Sequence, residues 1–366
     1  MLQEKPQGSL LLCVANILVT AAVVAVTWNL WNEVEIGRSL ILLAFAIGLF
    51  LPGAFNAYLL DTYKRKNIAM MALVVLGLVH FFIHISSSSA LWVILSLCLL
   101  QGVSFALVQV SLGSTLLNDL SSSERRDVVD QYFALSGKEG WVLGLIIMAC
   151  CEIFPTDYGI GAWVPIVGVL MALLLVASLK VPFRAPLVLP LCSIDRFWFQ
   201  GESVLWISTF FMAGAMGFLL GNLCTYSCPV LFLVMALCSF PMFFVRVANS
   251  RRWVAWGFLL LVILLLSEHL LPSDQFAFKI MVYACSGFSM SLLAVGYLSS
   301  FLERADHCQR GTAQHSYMLA CESGVVGGLA LMGIVPKGFY SFTEFLIVMS
   351  AILLFLIIKR KKAGSN

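Results

Sequence analysis

Charge is what this 366-residue sequence has least of: Asp, Glu, Lys and Arg together make up 11% of it, against about 25% in soluble domains. With 61% hydrophobic residues and a mean hydropathy of +0.97, that scarcity excludes a chain whose main solvent is water. The excess of one sign is small too, 22 Lys and Arg against 19 Asp and Glu, so there is no basic footprint for nucleic acid. Five His cannot supply a histidine-rich di-iron membrane centre, and His80 with His84, one helical turn apart, lack the further ligands a metal needs. The eleven Cys, an odd number lying mostly inside apolar runs, fit no disulfide framework and read as small buried hydrophobes. No P-loop occurs, the gaps between apolar runs are too short for a soluble catalytic or ATPase domain, and no nucleophile stands with a base. Neither an enzyme nor a bound cofactor or metal is expected.

What the sequence does have is apolar runs of helix-spanning length. A helix needs roughly 20 apolar residues to cross the hydrocarbon core, and backbone polar groups there must be satisfied internally. On that ruler twelve spans are expected, at 10–29, 39–60, 68–85, 91–117, 132–154, 163–179, 203–223, 229–247, 253–266, 276–302, 312–335 and 342–358. The first is too long for a signal-peptide core. With the N-terminus inside, only Arg38, Lys279 and Lys337 of the basic residues fall on the outer side, and Lys138 lies within a span. Positive charge kept inside then places both termini in the cytoplasm of a multi-pass protein of the cell (inner or plasma) membrane.

The two halves of the chain echo one another at a spacing of about 185 residues. Gln101 and Gly102 correspond to Ser286 and Gly287, Arg125 to Arg310, and Gly140 and Gly144 to Gly324 and Gly328. Such agreement in spacing and span number points to a parallel repeat of six spans, 1–179 and 201–366. The segment 180–200, with Pro182, Pro186 and Pro190, is expected to join them as a cytoplasmic linker.

After the second span the sequence reads Ala57, Tyr58, Leu59, Leu60, Asp61, Thr62, Tyr63, Lys64, Arg65, Lys66. With this motif in this loop, and twelve spans in two repeats, the chain resembles the major facilitator superfamily over essentially its whole length. Leu59, Asp61, Arg65 and Lys66 match the family motif, while Ala57, Thr62 and Lys64 depart from it. The resemblance implies an all-α integral membrane fold of two pseudo-symmetric six-helix bundles, and a cytoplasmic gate at Asp61, Arg65 and Lys66. It also implies a central cavity built largely from spans one, four, seven and ten, which makes Asn16, Thr20, Gln101, Gln109 and Ser289 candidates to line it. Neutral polar groups serve equally as glue between helices, worth about 0.6 kcal/mol. Cys98 stands where the family has an Arg in span four, and Leu145 follows Gly144 where its antiporters have Pro, which weakens a likeness to drug/proton antiporters.

Ionisable groups inside a membrane cost several kcal/mol and by default mark function. Lys138 and Glu139 in span five and Glu322 in span eleven qualify, and the repeat sets Lys138 opposite Glu322. Lys138 is expected either to attract an anionic substrate group or to pair with Glu322, whose protonation could bias a transport cycle; the plain alternative is Lys138 reaching for the cytoplasm. These residues together suggest a secondary transporter moving a small polar or anionic organic solute by alternating access. The coupling ion would be H+ and the protein a monomer in the bilayer. The alternatives are a lipid or drug translocator, or a sensor on a transport fold.

Overall fold

The computed structural model describes residues 6–33, 37–86, 90–121, 125–153, 160–181, 190–193, 198–200, 202–224, 228–245, 250–270, 275–306 and 309–363. Most of the expected linker, Pro182 and Pro186 included, lies outside them. Every regular element among the described residues is helical, fourteen α-helices in all.

The helices follow twelve paths. In the first half of the chain these are α1 (Pro6–Glu33), α2 (Arg38–Phe50) continued by α3 (Asn56–Thr62), α4 (Arg65–Ile85), α5 (Leu91–Gln109) continued by α6 (Leu117–Leu120), α7 (Arg126–Ile153) and α8 (Ile160–Ser178). In the second half they are α9 (Ser203–Leu223), α10 (Pro229–Ser239), α11 (Ser250–Leu270), α12 (Phe276–Leu302), α13 (Arg310–Met332) and α14 (Tyr340–Ala363). The second path breaks at Pro52, which cannot donate to the helix ladder, and turns through a short 3-10 segment, Gly53–Phe55. Between α5 and α6 the chain widens into a π-helical stretch, Val110–Leu116.

Eight helical paths are long and apolar enough to cross a membrane, and Trp163–Ser178 and Pro229–Phe243 are shorter apolar helices. The twelve expected spans are thus twelve helical paths of which eight meet the length and composition of a membrane crossing. The path of α13 does not, because it carries Gln314, His315, Ser316, Glu322 and Ser323, all buried against protein. Its neighbours are α9, α2 and α12, so its polar face meets helices on several sides.

Packing repeats between the halves. Helix α1 lies on α7 and α8, α2 on α5, and α4 on α5 and α8; correspondingly α9 lies on α13 and α14, α10 on α12, and α11 on α12 and α14. Contacts across the halves obey the same exchange, since α2 meets α13 as α10 meets α7. The glycines of the sequence repeat make these contacts possible. A Cβ on Gly140 would lie 2.8 Å from Ile17 O, and one on Gly144 2.8 Å from Ala21 O, so α1 and α7 touch backbone to backbone. On the other side, a Cβ on Gly324 would strike Phe210 O and one on Gly328 would strike Gly214 O, the same seam between α9 and α13. Gly102 against Phe45 O and Gly287 against Met235 O form the second equivalent pair. Small residues of this kind are what lets helices approach when lipid offers no hydrophobic drive between them.

Candidate functional site

Two constellations hold the ionisable groups singled out in the sequence. The first lies where α3, α4 and α6 meet. Arg65 stands between two carboxylates, 2.9 Å from Asp61 and 2.9 Å from Asp119, and its Nε donates to Leu60 O at 3.3 Å. Both acid side chains are buried. Lys66 donates to Ala177 O at 2.6 Å and to Leu179 O at 2.8 Å, placing a cation on the carbonyls at the end of α8. Among the described residues the side-chain hydrogen bonds of Arg65 and Lys66 stay within the first half, tying its second, third, fourth and sixth paths together. Asp119 was not among the expected gate residues; a lone Asp closing a span gives no sign of its partner until the fold brings α4 and α6 together.

The second constellation is a cavity of about 680 Å3, open solvent at its mouth included, between α7 of the first half and α9, α10, α12 and α13 of the second. Lys138 and Glu322 both line it. They do not pair with each other. Lys138 Nζ donates to Gly287 O at 2.7 Å and to Ser291 Oγ, both on α12, and among the described residues no carboxylate lies within ion-pair distance of it. Glu322 is buried and accepts a hydrogen bond from Trp141 Nε1 at 3.1 Å. Glu139 turns away to α10, where Ser239 Oγ donates to it. Three residues of one turn of α7 thus each bond a different helix of the second half.

The rest of the wall is soft and apolar. Met212, Met216, Met235, Met290 and Met318 face the space, with Trp141 and Tyr317 beside them. Thioether side chains are unbranched and polarisable, which suits a wall that adapts to ligands of varied shape. The sequence reading missed both the methionines and Trp141. Methionine counts as one more apolar residue in a span, whereas Trp141, one turn on from Lys138, could have been found by asking which neighbour shares its helix face.

The neutral polar candidates sit elsewhere. Asn16 Nδ2 donates to Ser136 Oγ at 2.9 Å and to Phe133 O at 3.2 Å, while Gln109 Nε2 donates to Asn16 Oδ1 at 2.8 Å and Thr20 Oγ1 at 3.4 Å. That network knits α1, α5 and α7 inside the first half. Gln101 Nε2 and His80 Nε2 lie 3.2 Å apart between α5 and α4, and Ser289 Oγ donates to Gly257 O at 2.8 Å between α12 and α11. None of the five lines the cavity. Among the described residues no group of three or more His, Cys, Asp or Glu is placed to hold a metal.

Further links cross the halves along α7. Asp127 pairs with Arg310 near the start of α13, and Gln131 Nε2 donates to Met242 O at 2.9 Å and Val245 O at 2.8 Å. At the other end of α13, Ser39 Oγ donates to Ala330 O at 3.0 Å. The cavity lies between these two sets of ties.

No family model and no curated protein matches the chain. A solved structure does: the fold is similar to that of the human organic anion transporter MFSD10 (TETRAN), with a TM-score of 0.70 at 15% sequence identity, covering 96% of this chain and 100% of that one. A likeness of that extent at so low an identity is a likeness of architecture. Its apolar helical paths, their paired packing and this structural match make the chain a multi-pass membrane protein with a fold similar to that of MFSD10.

Proposed function

We propose that the chain is a secondary active transporter that carries a small organic anion by alternating access. Two six-helix bundles, residues 1–179 and 201–366, rock about the seam that α7 makes with the second half, with both termini on the cytoplasmic face of the cell membrane. The observation that carries this reading is Lys138: an ammonium group inside a cavity between the halves, with no ion pair among the described residues. An ammonium has three donors. Two are fixed on α12, and the third is left for an anionic group brought by the substrate. That the structurally similar MFSD10 is an organic anion transporter agrees with this assignment.

Glu322 supplies the coupling. As a carboxylate it takes a charge-assisted bond from Trp141 across the seam; protonated, it holds that bond more weakly, so proton binding loosens one tie between the halves. Alternating access requires only that substrate and proton favour different members of a two-state equilibrium. Asp61, Arg65 and Lys66 keep the gate end of the first half in one piece while it moves.

The test is transport by the purified protein in liposomes. Radiolabelled organic anions should be taken up by counterflow and driven further by a pH gradient, and Lys138→Gln should cut uptake at least tenfold while the protein stays folded. Undiminished anion uptake by Lys138→Gln would sink the assignment. The methionine-rich wall favours a second reading, a lipid translocator, for which scrambling of a fluorescent lipid between leaflets is the readout.

A further inference from the structure

The cavity that holds Lys138 has a neighbour. A second, narrower space, about 400 Å3 with open solvent included, lies among α1, α2, α7, α9 and α13, and the two share Trp141 and Leu220 as common wall. Their linings differ in kind. The first has an ammonium and a carboxylate among its methionines. The second is faced by Trp28, Trp31, Leu42, Leu145 and Leu329, and exposes no polar surface. Even its one hydroxyl is turned away, because Thr27 Oγ1 donates back to Val23 O at 2.7 Å on its own helix.

We propose that the two spaces form one bipartite site for an elongated amphipathic anion, its acidic head on Lys138 and its apolar tail passing Trp141 into the tryptophan-lined chamber. This rests on the transporter reading for Lys138 and adds the class of substrate. Charge complementarity fixes the head: among the described residues the only cation lining either space is Lys138, and it has a donor to spare. The tail follows from the second chamber, which offers nothing to a hydrophilic solute and would strip water from it without return. Trp141 is the specificity-determining residue, since it is the indole between head and tail and is anchored by Glu322 on the head side. A tail lying against the indole turns a wall into a contact surface without breaking that anchor.

The probes are ω-phenylalkanoates, from phenylacetate to 8-phenyloctanoate, which keep one carboxylate and lengthen only the apolar part. Binding to the protein in lipid nanodiscs should tighten by about fourfold per methylene once the tail reaches the second chamber, the value expected for burying a CH2 group. Thr27→Phe and Leu145→Phe, which fill that chamber, should abolish the gain for 6-phenylhexanoate and 8-phenyloctanoate and leave phenylacetate within twofold of wild type. Retained phenylacetate binding also shows that these variants fold. Lys138→Gln should weaken the whole series alike. Affinity independent of chain length in the wild type, or equal losses for short and long members in the chamber-filling variants, overturns the bipartite site while leaving Lys138 as an anion anchor. Length-dependent binding that persists without transport in liposomes overturns the transporter reading and leaves the site standing.

Discussion

Trp141 and Glu322 share a hydrogen bond of 3.1 Å that joins the first half of the sequence to the second through the wall of the cavity. Its acceptor is the one carboxylate among the described residues of the lining, and its donor is the indole that separates the two chambers. Replacing Glu322 by Gln keeps an acceptor oxygen for Trp141 and removes the proton site. In proteoliposomes Glu322→Gln should exchange labelled for unlabelled anion at a rate near wild type and lose at least tenfold of the accumulation driven by a pH gradient. Accumulation that still follows the gradient would show that the coupling proton binds elsewhere.

Arg65 bridges two buried acids at once, Asp61 and Asp119. Removing one partner from a buried ion pair costs about 3–5 kcal/mol, because the other charge stays where water cannot reach it. Arg65→Ala should therefore lower the melting temperature sharply or abolish expression. Arg65→Lys, with a point charge in place of a planar fork, should fall between. The measurement is thermal unfolding in detergent, and wild-type stability in Arg65→Ala would mean that the triad contributes nothing.

The glycine seams make a matched pair of predictions. Gly140→Ala places a methyl 2.7 Å from Thr20 Cβ and 2.8 Å from Ile17 O, and Gly324→Ala places one 2.7 Å from Ala213 Cβ. Overpacking of this kind costs about 1–3 kcal/mol. Gly338→Ala, with nothing within 4 Å of the new methyl, should be silent. Melting curves of the three variants in one lipid preparation decide the matter, and equal melting of all three would contradict the close approach.

Asn16 separates a structural role from a binding one. Asn16→Ala removes the bonds to Ser136, Phe133 and Gln109 and leaves polar groups buried without that partner, a loss of about 1–3 kcal/mol. Stability should drop while anion affinity in nanodiscs remains within twofold. A large change in affinity at unchanged stability would instead place Asn16 in the substrate path.

Twelve helical paths were legible because the apolar runs have a fixed physical length, and the repeat was legible because Gly140, Gly144, Gly324 and Gly328 answer to a strict geometric demand. Facing was not. Amphipathic periodicity marks the buried face of a helix in water, but α1 and α9 are apolar on all sides, so nothing in their patterns distinguishes a side turned to a cavity from one turned to a neighbour. Asn16, Thr20, Gln101, Gln109 and Ser289 were found as polar groups in spans, yet their side-chain hydrogen bonds run to residues of their own half, and Gln109 Oε1 is buried with no partner among the described residues. The repeat set Lys138 opposite Glu322 without showing which way either faces; both line one cavity, and Lys138 bonds the carbonyl and hydroxyl of α12, not the carboxylate.

The glycine seams inside each half bring backbone against backbone, whereas the ties from α7 to the second half are made by Lys, Glu, Gln and Trp side chains. A contact with no rotatable bond cannot yield gradually under load; a long side chain can swing through several rotamers and keep or exchange its partner. Stiffness is therefore distributed unevenly: high within the halves, low along the line from Asp127 to Trp141. Thermal energy will bend the molecule most easily along that line, which passes the cavity wall at Lys138 and ends at the indole between the two chambers.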